Sequence, residues 1–218
     1  MGKIPIISQK QKLILEGIKN SEYLRKRFYF TGGTALSEYY LQHRFSDDLD
    51  FFSQEKFDNQ IIFSIVSGWK EKYKIDFSSR FVEVVYRFEL IFQDKTNVKL
   101  DFGYYPYKQV EKGTEKNKIQ IDSLRDIATN KLFTINQRTE IKDFVDLYFI
   151  LREKYTIWDL IYGIDAKFGK RDIEIIALDM MKVEDFDHLP NMIKLLKIEE
   201  LKKFFRNLAV KLGKKAVE

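Results

Sequence analysis

The stretch Phe28 to Ser53, FYFTGGTALSEYYLQHRFSDDLDFFS, decides the fold. It opens with a short aromatic strand, Phe28 to Phe30, followed by Thr31-Gly32-Gly33-Thr34 and a helical run from Ala35 to Gln42. It closes with Ser46, Asp47 and Asp48, and then a second strand from Asp48 to Phe52. Glycines placed after a strand and before a helix let the backbone approach a phosphate, where the helix N-terminus favours negative charge. Asp48 and Asp50 are two residues apart, so on a strand both carboxylates point to one face. Paired oxygen ligands of this kind suit Mg²⁺ or Mn²⁺ held together with substrate phosphates. Each piece also has a plain reading: Gly-Gly is often only a turn, and aspartates often cap helices or line solvated edges. Phe51 and Phe52 nevertheless imply a buried strand, beside which a carboxylate needs a partner. In this order, the pieces point to nucleotidyl or phosphoryl transfer.

Upstream, Ile7, Leu13, Ile14, Ile18 and Leu24 give Ile6 to Arg27 the periodicity of an amphipathic helix, with Ser8 as its N-cap. Downstream, Ile61 to Tyr73 has helical periodicity. The runs Phe81 to Phe92 and Asn97 to Tyr104, separated by Gln93-Asp94-Lys95-Thr96, predict a β-hairpin. Asp101 interrupts the second run, VKLDF, either as a functional carboxylate or as an outward-facing strand residue. From Ile121 the pattern is helical, with Asp122-Ser123 placed to cap a helix reaching about Ile135 and containing Lys131. Glu140 to Leu151 forms the next helix, on which Asp143 and Asp146 share a face. Taken alone, Lys131, Asp143 and Asp146 would read as solvated helix residues. Trp158 to Phe168, ended by Gly169, and Ile173 to Met181 are two further helices. Pro190 breaks the pattern before a basic helix, Ile198 to Leu212. The tail cations Lys202, Lys203, Arg206, Lys211, Lys214 and Lys215 read first as a solvated face, and second as a contact for RNA or a partner.

The Gly-Gly turn, helix and Asp-x-Asp order resembles the DNA polymerase β-type nucleotidyltransferase superfamily. GGTAL followed by HRFSDDLDFF, with Lys131, Arg138 and Lys142-Asp143 to Asp146-Leu147 in order behind it, is more closely similar to the AbiEii/AbiGii-type nucleotidyltransferase toxins of toxin–antitoxin and phage-defence systems. The resemblance implies an α+β polymerase β-like core, residues 1–118, and a helical C-terminal region, residues 119–218, that completes the nucleotide site. It further implies that Asp48 and Asp50 hold Mg²⁺ or Mn²⁺ against an NTP, with Asp101 as the third metal ligand. Gly32, Gly33 and Thr34 would bind the β and γ phosphates, and Ser46 a phosphate or a metal-bound water. Thr34 stands where many members of the superfamily carry serine. Lys131 would neutralise triphosphate charge, and Asp143 would either accept the acceptor's proton or orient Lys131. The acceptor implied is tRNA, with a cognate antitoxin as protein partner. A protein or small-molecule acceptor, such as an antibiotic, stays open, as does a non-catalytic module that binds nucleotide or a partner.

Composition is consistent with this class without selecting it. The chain of 218 residues is 44% hydrophobic, enough for a packed core. It has no cysteine, which excludes disulfides and thiolate metal sites, and its two histidines, His43 and His188, are too few for a histidine-rich metal centre. A net charge of +5 suits a phosphate-rich partner but is equally ordinary for a lysine-rich protein. MGKIPIISQKQK has no long apolar run, so the expectation is a cytoplasmic protein with no membrane span.

Overall fold

The structure, a computed structural model, describes residues 4–216. It divides into two compact units. One comprises the chain up to Glu38, Ser46–Lys108 and Lys112–Ser123; the other comprises Tyr39–Phe45, Gln109–Glu111 and everything from Leu124 onward.

The first unit is a mixed seven-stranded sheet with helices. In chain order its elements are α1 (Gln9–Asn20), α2 (Glu22–Arg27), β1 (Tyr29–Thr31), α3 (Gly32–Leu36), β2 (Leu49–Ser53), α4 (Asn59–Ser67), α5 (Trp69–Tyr73), β3 (Ile75–Val82), β4 (Val85–Phe92), β5 (Asn97–Tyr104), β6 (Thr114–Lys116) and β7 (Ile119–Ile121). Across the sheet the order is β3-β4-β5-β2-β1-β7-β6. Among the described residues only β2–β5 and β1–β7 pair in parallel. Alternation explains the two faces of β2: Leu49, Phe51 and Ser53 are buried, while Asp50 and Phe52 point the other way and are half-buried. On the buried face Phe51 stacks on Phe30 at 5.0 Å and lies 6.0 Å from Phe102, which meets Phe28 edge-on. Phe30, Phe51 and Phe102 are wholly inaccessible, and truncating any one to alanine costs about 3–5 kcal/mol.

Ser8 caps α1 as expected, in a reciprocal capping box with Gln11. The predicted single helix to Arg27 is broken at Ser21, whose hydroxyl accepts from Leu24 N–H and starts α2 afresh. The run Phe81–Phe92 is likewise not one strand. The chain reverses at Glu83 (φ +54°), and Ile75–Val82 forms an additional strand that periodicity did not mark. The helical run after the double glycine is α3 continued by a π-helical turn, Ser37–Leu41.

The second unit is helical: α6 (Leu124–Gln137), α7 (Ile141–Glu153), α8 (Ile157–Phe168), α9 (Ile173–Met181), a 3₁₀ turn Lys182–Asp185, and α10 (Ile198–Ala216). Gly169 ends α8 with φ +87°. Phe144 of α7 packs edge-on against Phe205 of α10 at 5.2 Å, and both are fully buried. The segment around Pro190 is not a bare break. It lies beside residues 43–45, with Arg44 bridging to Met192, Phe45 N–H donating to Asn191 O, and Ile193 N–H donating to His43 O. No helix among the described residues is long and apolar enough to cross a membrane.

Candidate functional site

The first unit assembles its polar residues as a row across the sheet. Register places Arg80 opposite Arg87, Arg87 opposite Asp101, Asp101 opposite Asp50, and Asp50 opposite Thr31. Residues directly opposite on neighbouring strands share a face at a strand spacing of ~4.8 Å. Five side chains from five strands therefore form one transverse line. At its β1 end the Thr31 hydroxyl donates to Asp122 Oδ2 at 2.8 Å.

Asp50 is the centre of this row. Gly32, at φ +75°, lies so close to it that a Cβ would fall 2.2 Å from Asp50 Oδ2. Glycine is required there both by its dihedral and by the carboxylate. Asp48 immediately precedes β2, where the sequence placed it as the first strand residue, and its Oδ1 is 3.9 Å from Lys99 Nζ. Thr34 fastens this loop to the turn. Its hydroxyl is wholly buried, 3.0 Å from Ser46 Oγ, and donates to the Asp48 carbonyl. Gln11 of α1 adds a second tie by donating to Asp47 O at 2.9 Å. Asp101 is buried on β5 and clasped by Arg87, whose Nε lies 2.9 and 3.0 Å from the two carboxylate oxygens and whose Nη2 lies 2.7 Å from Oδ2. The Asp101 hydrogen bond raises the Arg87 pKa despite partial burial, and the charges of Asp48 and Asp50 act in the same direction.

These are oxygen donors with no thiolate or imidazole among them, the set that a hard divalent cation takes, and Gly32 leaves open the space beside Asp50 that any side chain would fill. With Arg87 on Asp101 the three stand as a pair plus one. Among the described residues no group of three or more His, Cys, Asp or Glu side chains is gathered as a metal-holding cluster.

The second unit holds Lys131, Asp143 and Asp146 in a separate buried ionic network. Lys131 Nζ lies 2.6 Å from both Asp143 Oδ1 and Asp146 Oδ2. Arg138 Nε donates to Asp143 Oδ2 at 2.8 Å. Arg44 donates to both oxygens of Asp146, at 2.6 and 2.8 Å, and His43 Nε2 meets Oδ1 at 2.7 Å. Both carboxylates have no accessible surface, so α7 turns its acidic face inward rather than to solvent. Burial raises the Asp146 carboxyl pKa, but Arg44, Lys131 and the His43 hydrogen bond outweigh it and hold it well below the usual range. Burial also raises that of Asp143, where Lys131 and Arg138 prevail and lower it. Lys131 ends above its ordinary value because the two carboxylates overcome its desolvation. His43 goes the other way: burial lowers its pKa more than Asp146 restores it, so the neutral ring donates from Nε2.

Sequence reasoning missed His43, Arg44 and Arg87. An adjacent His-Arg pair after a helix reads as solvated, and nothing local announces that Met192 and Asp146 enclose it. The signal for Arg87 was its position in VYRFEL, where Tyr86, Phe88 and Leu90 alternate with Arg87 and Glu89.

Comparison with known proteins bears on the family and the fold. The family described as nucleotidyl transferase AbiEii toxin, type IV TA system, matches residues 14–215. An uncharacterized protein of Aquifex aeolicus is 32% identical over 187 residues, covering 80% of each chain. Among solved structures, JHP933 from Helicobacter pylori superposes with a TM-score of 0.61 at 22% identity, covering 96% of this chain and 94% of its own. MenT4, a nucleotidyltransferase toxin from Mycobacterium tuberculosis, has a TM-score of 0.50 at 14% identity, covering 87% and 79%. Both structures share the fold.

Proposed function

The chain belongs to the AbiEii nucleotidyl transferase toxin family of type IV toxin–antitoxin systems, and from this we propose that it transfers NMP from an NTP to the terminal hydroxyl of a tRNA, with Mg²⁺ held by Asp48 and Asp50. The observation that carries this reading is the placement of Gly32 against Asp50, with Asp101 abreast of Asp50 on the adjoining strand. A backbone able to approach a triphosphate then lies beside carboxylates able to share its metal.

In this reading Gly32, Gly33, Thr34 and Ser46 make the phosphate side of the site, with Thr34 fixing the turn to the Asp48 loop. Asp101, clasped by Arg87 in this structure, would serve as the third metal ligand. The metal, when bound, would offset charge on the triphosphate oxygens. Asp143, wholly buried and bonded to Lys131, orients that lysine rather than accepting a proton. The acceptor oxygen bonds to the α-phosphorus as the α–β bridging bond breaks. Pyrophosphate leaves, and the hydroxyl proton passes to a carboxylate of the row and on to solvent. Family membership also implies an antitoxin as the counterpart of this toxin, and the chain's action is cytoplasmic, where tRNA and NTPs are found.

The test is transfer of α-³²P label from each of the four NTPs, with Mg²⁺, into a mixed tRNA pool and into protein, comparing the native chain with Asp48→Ala. Label in tRNA that disappears in the variant is the expected result. Label in protein, or label retained by Asp48→Ala, refutes the proposal.

A further inference from the structure

The polar row continues past Asp101 into residues that metal binding does not use. Arg80, Arg87 and Lys99 share the Asp101 face of β3, β4 and β5, and with Ser78 and Glu89 they line an open cavity of about 310 Å³. Glu89 stands opposite Lys99 and also accepts from Asn97 Nδ2, so it offsets part of the positive charge. Arg80 is exposed and has no ion-pair partner among the described residues. A cavity of this size is at the lower end of ligand-sized clefts and accommodates a single nucleotide unit, not a folded protein surface.

Direction along the row gives this shelf its meaning. The double-glycine turn leaves β1, on one side of Asp50, while Asp101, Arg87 and Arg80 extend on the other. An in-line displacement at phosphorus requires the attacking oxygen to enter opposite the leaving pyrophosphate. If the triphosphate occupies the Gly32 side, the acceptor must arrive over β5, β4 and β3. We propose that Arg80, Arg87 and Lys99 form the acceptor subsite, binding the backbone phosphates of an RNA 3′ end next to the reacting hydroxyl. This rests on the nucleotidyl-transfer reading above and adds where the acceptor sits and what part of it is recognised. The same geometry gives Arg87 a second role. An incoming phosphodiester competes with Asp101 for its guanidinium, which is the shape of partner a planar fork binds best. Acceptor binding thereby releases Asp101.

The experiment uses the full chain and a 5′-labelled mixed tRNA pool. Binding is measured between 50 and 200 mM salt, and KM values for tRNA and NTP are measured separately. Arg80→Glu should weaken tRNA binding and raise the tRNA KM at least ten-fold, with the NTP KM and the thermal midpoint unchanged. Arg80→Lys should stay near the native values, and Arg80→Gln should lower the salt slope by about one. Native tRNA affinity and tRNA KM in both Arg80→Glu and Lys99→Gln, with label still entering tRNA, would overturn the subsite and leave the transfer reading standing. Label entering protein instead would overturn both.

Discussion

Gly32 lies directly against Asp50: the hydrogen on Gly32 is all that fits beside the Asp50 carboxylate, and a methyl group would sit 2.2 Å from Oδ2. The contact sets the double-glycine turn against the carboxylate row, so a side chain at Gly32 would displace one or the other. Gly32→Ala should therefore do more than destabilise. A left-handed dihedral at a residue with a Cβ costs about 1–2 kcal/mol, and the displaced carboxylate should lower transfer on the order of 100-fold. Initial rates beside a urea melt check this. Full activity with a native melt would mean that Asp50 need not stay where it is.

A second prediction separates the metal roles. Asp48→Asn keeps the shape and removes a charge, so the Mg²⁺ concentration for half-maximal transfer should rise about ten-fold or more. Asp122→Asn alters only the far end of the row, where the Thr31 hydroxyl can still donate to the amide oxygen, and should leave the Mg²⁺ dependence as it was. A Mg²⁺ titration of each variant decides it; equal dependence in native and Asp48→Asn chains would remove Asp48 from the metal.

The buried network of the second unit should behave as a unit. Removing Arg44 by Arg44→Met takes from buried Asp146 a partner that bonds both its oxygens, leaving Lys131 and His43, and should cost about 3 kcal/mol. The paired change Arg44→Met with Asp146→Leu removes both charges of that bridge but strands part of Lys131, so it should recover only part of the loss. Chemical denaturation of Arg44→Met, Asp146→Leu and the double variant measures the coupling, and strictly additive costs would show that the pair is not coupled.

The sign of the pH dependence follows from the shifts. His43, Asp143 and Asp146 titrate lower when folded, so the unfolded chain binds more protons and acid destabilises. The His43 contribution is complete above about pH 6.5 and is lost as pH falls toward its folded value; the aspartates follow below about pH 4. Lys131 titrates higher when folded, so its contribution holds below about pH 10.4 and fades as pH rises through its folded value. Thermal midpoints should be flat across neutral pH, begin to fall below about pH 6.5, and lose that first shoulder in His43→Gln. A native midpoint unchanged down to pH 4 would contradict the burial of a neutral His43.

Helix contact gives a last prediction. A Cβ on Gly163 of α8 would lie 2.3 Å from Thr129 Oγ1 of α6, a buried hydroxyl without a hydrogen-bond partner among the described residues. Gly163→Ala should destabilise by about 1–3 kcal/mol through overpacking, and Thr129→Ala should relieve much of that when combined with it. A double-mutant cycle with no coupling would show that α6 and α8 separate freely at that point.

The sequence revealed what local chemistry encodes and concealed what tertiary contact decides. That Gly32 and Asp50 lie together was legible because a double glycine between a strand and a helix, followed by aspartates beside phenylalanine, brings the turn back to the adjoining strand. Helices α8 and α9 were legible to within a residue because apolar spacing and Gly169 fix their limits. Strand β3 was not. IDFSSRFV is an exposed edge whose serines and arginine give no buried alternation, and it is a strand because β4 lies along it. Asp146 looked solvated because its partners His43 and Arg44 come from more than a hundred residues earlier. Arg87 was hidden in the same way, since its reason for being there is Asp101 across a hairpin.

The chain enters the second unit three times, and the first entry, Tyr39–Phe45, is inserted between Gly32 and Asp48. The two units are thus distinct as bodies and indivisible as genetic modules. A cut after Ser123 would carry Arg44 away with the sheet and strand Asp146 in the helical remainder. Neither part could be exchanged between relatives as a cassette, and a mutation in one is inherited under the constraint of the other.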